Sequence, residues 1–178
     1  MTGPGRFAAF RHRGFTLYWA AIICVGLAMQ MQTVAVGWQV YDLTGNPFDL
    51  GLVGLSQFLP ALVLVLVTGP VADRFSRRKI IALCLSIQGV CALGFLSLAT
   101  GDAQSVLPIF ALLAAFGTAR AFYNPARQSI VPNLVPPEDL GGAIALNTTA
   151  AQAATIAGPM AGGLLYGLNP GAAYGTTA

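Results

Sequence analysis

Charge is scarce in this chain. Only 15 of its 178 residues are Lys, Arg, Asp or Glu, 8% of the total, where soluble domains carry about 25%. So few charges cannot cover the surface of a soluble globule, and an integral membrane protein is the expectation. Histidine and glutamate occur once each, as His12 and Glu138. There is no H-E-x-x-H, no G-x-x-x-x-G-K-S/T and no pair of carboxylates inside an apolar run. A membrane hydrolase or transferase needs a cluster of that kind, so an enzyme is not expected and no cofactor is implied. The three cysteines, Cys24, Cys84 and Cys91, all lie within apolar runs. An odd number without a C-x-x-C pair builds neither a disulfide framework nor a zinc site, and packing is the simpler role. Long polar linkers are also missing, which leaves no room for a soluble domain between the apolar segments. The formal net charge of +3 is no nucleic-acid signal, because the basic residues fall between apolar spans and form no continuous face.

What the chain does have is apolar length. Hydrophobic residues make up 56% and the mean hydropathy is +0.70. A helix needs about 20 apolar residues to cross a bilayer. Five segments meet this: 15–41, 50–72, 80–100, 105–124 and 140–168. The first and last exceed the need, which predicts tilt or protrusion. Residues 1–14 form a basic tail. This tail does not read as a signal peptide, since the apolar run after it is long and has no small-residue cleavage site before Gln30. Residues 169–178 resemble the start of a sixth helix, so the chain is expected to be incomplete.

The basic residues sort by loop. The tail holds Arg6, Arg11 and Arg13; the second loop holds Arg74, Arg77, Arg78 and Lys79; the end of the fourth segment holds Arg120 and Arg127. The first and third loops hold none and carry Asp42, Asp49 and Asp102. By the positive-inside rule the N-terminus is expected in the cytoplasm and the fifth segment is expected to end outside.

Five of the 15 charges crowd into "GPVADRFSRRK", residues 69–79. The four bases suit an orientation anchor. Asp73 does not, since an acid among bases adds nothing to orientation. The pattern Gly69-x-x-x-Asp73-Arg74-x-x-Arg77-Arg78-Lys79, placed after a second span, resembles the cytoplasmic loop motif of the major facilitator superfamily. Ser76 stands where that motif has a second glycine. The stretches "MQTVAVGWQVYDLTGNPFDLGLVGL" and "RAFYNPARQSIVPNLVPPEDLGGAIALN" are similar to the enterobactin-exporter branch of bacterial transporters. "GPMAGG", residues 158–163, resembles the glycine-proline motif of antiporters in the superfamily.

The resemblance implies an all-α integral membrane fold. The chain would be five transmembrane helices of the N-terminal six-helix half, cut before or within helix 6. It implies a multi-pass protein of the bacterial cytoplasmic membrane and a secondary transporter, a proton-coupled exporter of siderophores or drug-like small molecules working by alternating access. The partners implied are membrane lipid, a small-molecule substrate and the missing C-terminal half. In the family, Gly69, Asp73, Arg74, Arg77, Arg78 and Lys79 would form a latch that braces the two halves. The alternative is a small five-helix membrane subunit or scaffold.

Other polar residues stand out by position. Gly117, Arg120, Asn124 and Arg127 share one face of the fourth segment at helical spacing. Arg120 would line the substrate path, pair with Asp73, or snorkel as an anchor. On the first segment Gln30, Thr33 and Gly37 share one face, and Gln32 and Gln39 another. Amides there need partners, so Gln30 and Thr33 would serve as interhelical glue or as a substrate-facing wall. Gln57, one turn before Pro60, fits structural bonding. Gly158, Pro159, Gly162 and Gly163 give the fifth segment a small, bendable face. No intramembrane acid serves as a proton carrier; Asp42, at the outer end of the first segment, is the candidate within the chain.

Overall fold

In a computed structural model the chain folds into five long helices and one short one, with residues 8–101 and 105–177 described. The side chains at 8, 65, 67, 69–74 and 170 are not described. Arg6 and Asp102 therefore lie outside the described residues, as do the surroundings of Gly69 and the side chains of Asp73 and Arg74. The helices are α1 (Arg13–Thr44), α2 (Pro47–Arg74), α3 (Arg77–Thr100), α4 (Leu107–Gln128), α5 (Leu140–Leu168) and α6 (Pro170–Gly175). Short 3-10 turns precede α1 at Ala8–Arg11 and α5 at Val131–Asn133.

Local chemistry sets the boundaries. α1 stops at Gly45, whose φ of 64° is the left-handed conformation open to glycine, and its N–H bonds the Tyr41 carbonyl at 2.7 Å. α2 starts at once with Pro47 at its first position, while the Asn46 side chain accepts the Phe48 N–H at 3.1 Å. α6 repeats the device: Asn169 accepts from the Gly171 N–H at 2.8 Å, ahead of Pro170. α4 continues through Pro125 to Gln128, past the expected end at residue 124. α5 runs unbroken through Pro159. Ser76 caps α3 with φ −59°. The position where the family motif has glycine thus uses an ordinary backbone conformation here, and serine fits without strain.

α1 packs most extensively on α5, and α4 is gripped by α2 on one side and α3 on the other. One core lies among α1, α3, α4 and α6, with Val36, Val40, Phe95, Leu113, Phe116 and Tyr174 at its centre. A smaller one joins Ala9 and Phe15 to Val131, Val135 and Ala143 at the end of the bundle that holds the α1 and α5 N-termini. There His12 meets Asp139 at 3.2 Å, Tyr18 donates to the Arg127 carbonyl at 2.7 Å, and Trp19 to the Leu146 carbonyl at 3.1 Å.

The outside is apolar. Leu66 of α2 is 83% exposed and Leu168 of α5 is 82% exposed, with Val90 of α3 and Ile156 of α5 also open. Each such side chain in water forfeits roughly 1.5–3 kcal/mol of burial; in lipid it does not. α1, α3 and residues 47–64 of α2 are each long and apolar enough to cross a membrane by length and composition. α4 and α5 have 22 and 29 residues, which suffices for a span at 1.5 Å per residue. Their polar residues lower the hydropathy, and Arg120, Asn124, Arg127, Asn147 and Thr155 among them line cavities.

Candidate functional site

The polar face of α4 opens onto three cavities that share walls. The first, about 180 Å³, lies among α1, α4 and α5 and is lined by Gln30, Arg120, Tyr123, Asn124, Arg127 and Thr155 among others. The second, about 590 Å³, lies among α1, α2 and α4, where Thr33 and Gln57 face Gly117, Arg120 and Asn124. The third, about 440 Å³, continues from Arg127 and Ala151 to Gln128, Asn147 and Thr148. Arg120 and Asn124 belong to the first two, and Arg127 and Ala151 to the first and third. The result is a polar strip along α4 from Gly117 to Gln128. No Asp, Glu or His appears among the described residues lining these three cavities.

Two close helix contacts hold the strip open on either side. At Gly117 a Cβ would collide with the Gln57 carbonyl oxygen, so α2 and α4 touch backbone to backbone. At Gly158 a Cβ would collide with the Cβ of Gln30, and at Gly162 it would lie 2.7 Å from the Met31 Cα. α5 thus lies on α1 through Gly158-x-x-x-Gly162, the small-residue geometry that lets helices approach in a membrane. Gly163 faces open space.

The two faces expected on α1 separate clearly. Gln30 and Thr33 line the cavities. Gln32 and Gln39 are buried, and Gln39 Oε1 accepts a 2.6 Å hydrogen bond from the Tyr174 hydroxyl. Thr33 returns its own hydroxyl to the Met29 carbonyl at 2.8 Å. Arg120 makes no hydrogen bond or ion pair with any described residue, and Arg127 Nε and Asn147 Oδ1 are buried without a partner.

The expected pairing of Arg120 with Asp73 falls on a side chain outside the described residues. Gln57 sits opposite Gly117, and α2 and α4 run in the same sense. Asp73 is four and a half turns past Gln57 while Arg120 is less than one turn past Gly117. At 1.5 Å per residue the two backbones are about 20 Å apart along the bundle. Of the loop residues with described side chains, Arg77 donates from Nη1 to the Ser129 carbonyl at 2.7 Å. It thereby caps the C-terminus of α4 from the start of α3. Arg78 and Lys79 are exposed. At the other end of the bundle Tyr166 of α5 donates to Asp42 Oδ2 at 2.9 Å.

Tyr123, Arg127 and Thr155 also reach the strip. Arg127 was legible as a member of the Arg120 face, two turns on. Thr155 carried no signal, since nothing in the small-residue run of α5 says which member turns toward α4. Among the described residues no group of His, Cys, Asp and Glu is placed to hold a metal ion.

The profile of the transmembrane secretion effector family matches residues 4–178. The chain is 29% identical to YkuC of Bacillus subtilis, described as an uncharacterised MFS-type transporter, over 78% of this chain and 32% of that protein. It is 29% identical to the enterobactin exporter EntS of Salmonella choleraesuis and 30% identical to that of Shigella boydii. Each match covers 92% of this chain and 37% of the relative. The chain therefore spans about a third of the length of these curated relatives. No solved structure matches it.

Proposed function

The chain belongs to the transmembrane secretion effector family of the major facilitator superfamily, and on that premise we propose that it forms the N-terminal part of a proton-coupled exporter of small molecules. The exporter works by alternating access, two helical halves rocking about a site near the midplane. The observation that carries this reading is Arg120, a guanidinium without a partner that faces cavities walled by α1, α2, α4 and α5. A charge kept inside a membrane helix has a use, because it is expensive there. Gln30, Thr33, Arg120 and Asn124 line the substrate path. Siderophores and drug-like molecules are the candidate cargoes; two of the relatives are named as enterobactin exporters.

The nine-to-none distribution of basic residues supports a cytoplasmic N-terminus and residence in the bacterial cytoplasmic membrane. The loop of Gly69, Asp73, Arg74, Arg77, Arg78 and Lys79 acts as the cytoplasmic latch. Pro159, beside the tight Gly158 and Gly162 contacts, lets α5 bend against α1. Asp42, hydrogen-bonded to Tyr166, is the candidate proton carrier within the chain.

Efflux from vesicles holding the full-length transporter, driven by an imposed pH gradient and assayed against a compound panel, tests the proposal. Gradient-dependent movement of at least one compound supports it. A full-length, correctly inserted protein that moves none of them under any ion gradient contradicts it.

A further inference from the structure

We propose that the cavity between α1, α2 and α4 takes an organic anion, its charged group held by Arg120 and its apolar body lying on α2. Calling this guest a substrate rests on the transporter reading above; that the cavity holds an anion does not.

The volume, about 590 Å³, falls in the range of small-molecule sites. The walls divide by chemistry. Val53 and Phe58 of α2 offer an apolar surface, while Gln57, Arg120 and Asn124 offer amide and guanidinium donors. Arg120 presents five N–H donors in a planar fork and no acceptor, and no described residue takes any of them. The walls of this cavity and of the adjoining one that shares Arg120 include no described carboxylate. The backbone at Asp73 lies about 20 Å further along the bundle. A guanidinium in low dielectric demands a counter-charge, and its fork suits carboxylate, phosphate or sulfonate, which it binds with paired charge-assisted bonds. The amides beside it donate to the same group. Arg127, two turns further along the same face, opens into the adjoining cavity with its Nε unpartnered. The anion thus meets a second cation on the way to that end of the bundle.

The test uses the full-length protein with Cys24, the one exposed cysteine among the described residues, replaced by alanine and with Asn124→Cys as reporter. Cys84 and Cys91 are buried. The probes are 1-naphthoate and its neutral isostere 1-naphthamide, which share the apolar body and differ in charge. Each is titrated for protection of Cys at position 124 against a neutral thiol reagent. Naphthoate is expected to protect at concentrations about tenfold or more below naphthamide, the factor expected from a charge-assisted bond. Arg120→Gln is expected to abolish that difference, weakening protection by naphthoate far more than by naphthamide, and Arg120→Lys to restore part of it. A negatively charged thiol reagent is expected to label position 124 faster than a neutral one, about tenfold, only while Arg120 is present. Equal protection by the two probes, or a charge preference that survives Arg120→Gln, overturns the proposal. So does the absence of any anion preference with Arg120 in place, which is the signature of a carboxylate supplied from elsewhere in the protein. Anion protection in a protein that transports nothing leaves the site standing and contradicts the exporter reading alone.

Discussion

Gly158 of α5 lies directly against the Cβ of Gln30 on α1, with no space for a side chain between them. One turn on, Gly162 meets the Met31 backbone in the same way. These two contacts set the distance between α1 and α5, and with it the width of the cavity that Gln30 and Arg120 line.

Gly158→Val is therefore expected to force the two helices apart. Overpacking typically costs 1–3 kcal/mol, read as a fall in melting temperature in detergent. Gly163→Ala, where nothing lies within 4 Å, serves as the control and should change stability by less than about 0.5 kcal/mol. Equal effects at the two positions would show that the α1–α5 contact is not tight.

The bond between Tyr174 and Gln39 ties α6 to α1. Both residues are buried and the oxygens are 2.6 Å apart. Tyr174→Phe leaves the Gln39 acceptor buried without its donor, a loss of about 1–3 kcal/mol. Adding Gln39→Leu removes the stranded group and should recover most of that loss. A double variant as unstable as the two single losses combined would argue that the two groups act independently.

Arg77 is expected to behave differently from its neighbours in the charged loop. Its 2.7 Å bond to the Ser129 carbonyl joins the start of α3 to the end of α4, so Arg77→Ala should lower stability by about 1 kcal/mol, discounted for partial exposure. Arg78→Ala, at an exposed position, should fall within about 0.5 kcal/mol. Asp73→Asn is expected to insert and fold normally and to cut transport, which separates a latch from a structural staple. Normal transport by Asp73→Asn removes the latch.

Asp42→Asn tests the carrier. If protons leave through Asp42, the variant should still bind cargo but lose the dependence of efflux on the pH gradient. Efflux that remains gradient-driven places the carrier elsewhere in the full-length protein.

Much of the fold is written in the length of the apolar runs, which makes the long helices legible in the sequence, and helical spacing does the same for the polar face of α4. The end of α4 is not legible: Pro125 signals a stop, yet a proline so near the helix end forfeits little, and the helix runs on to Gln128. The separation of Gln30 and Thr33 from Gln32 and Gln39 follows from helical spacing. The partner of Gln39 does not, because Tyr174 lies beyond α5 in the segment that reads as the start of a sixth helix, and nothing in the sequence says which helix that segment packs on. Likewise the distance between the backbones at Arg120 and Asp73 depends on where α2 meets α4, which the Gly117 contact decides. A sequence shows the charge on each helix but not which charges are level with one another in the bundle.

The most direct measurement is efflux from vesicles holding the full-length transporter, compared between the natural protein and Arg120→Gln at equal insertion. The account predicts gradient-driven export by the natural protein and its loss, by about tenfold or more for an anionic cargo, in the variant. Export that proceeds at the natural rate without Arg120 would contradict it.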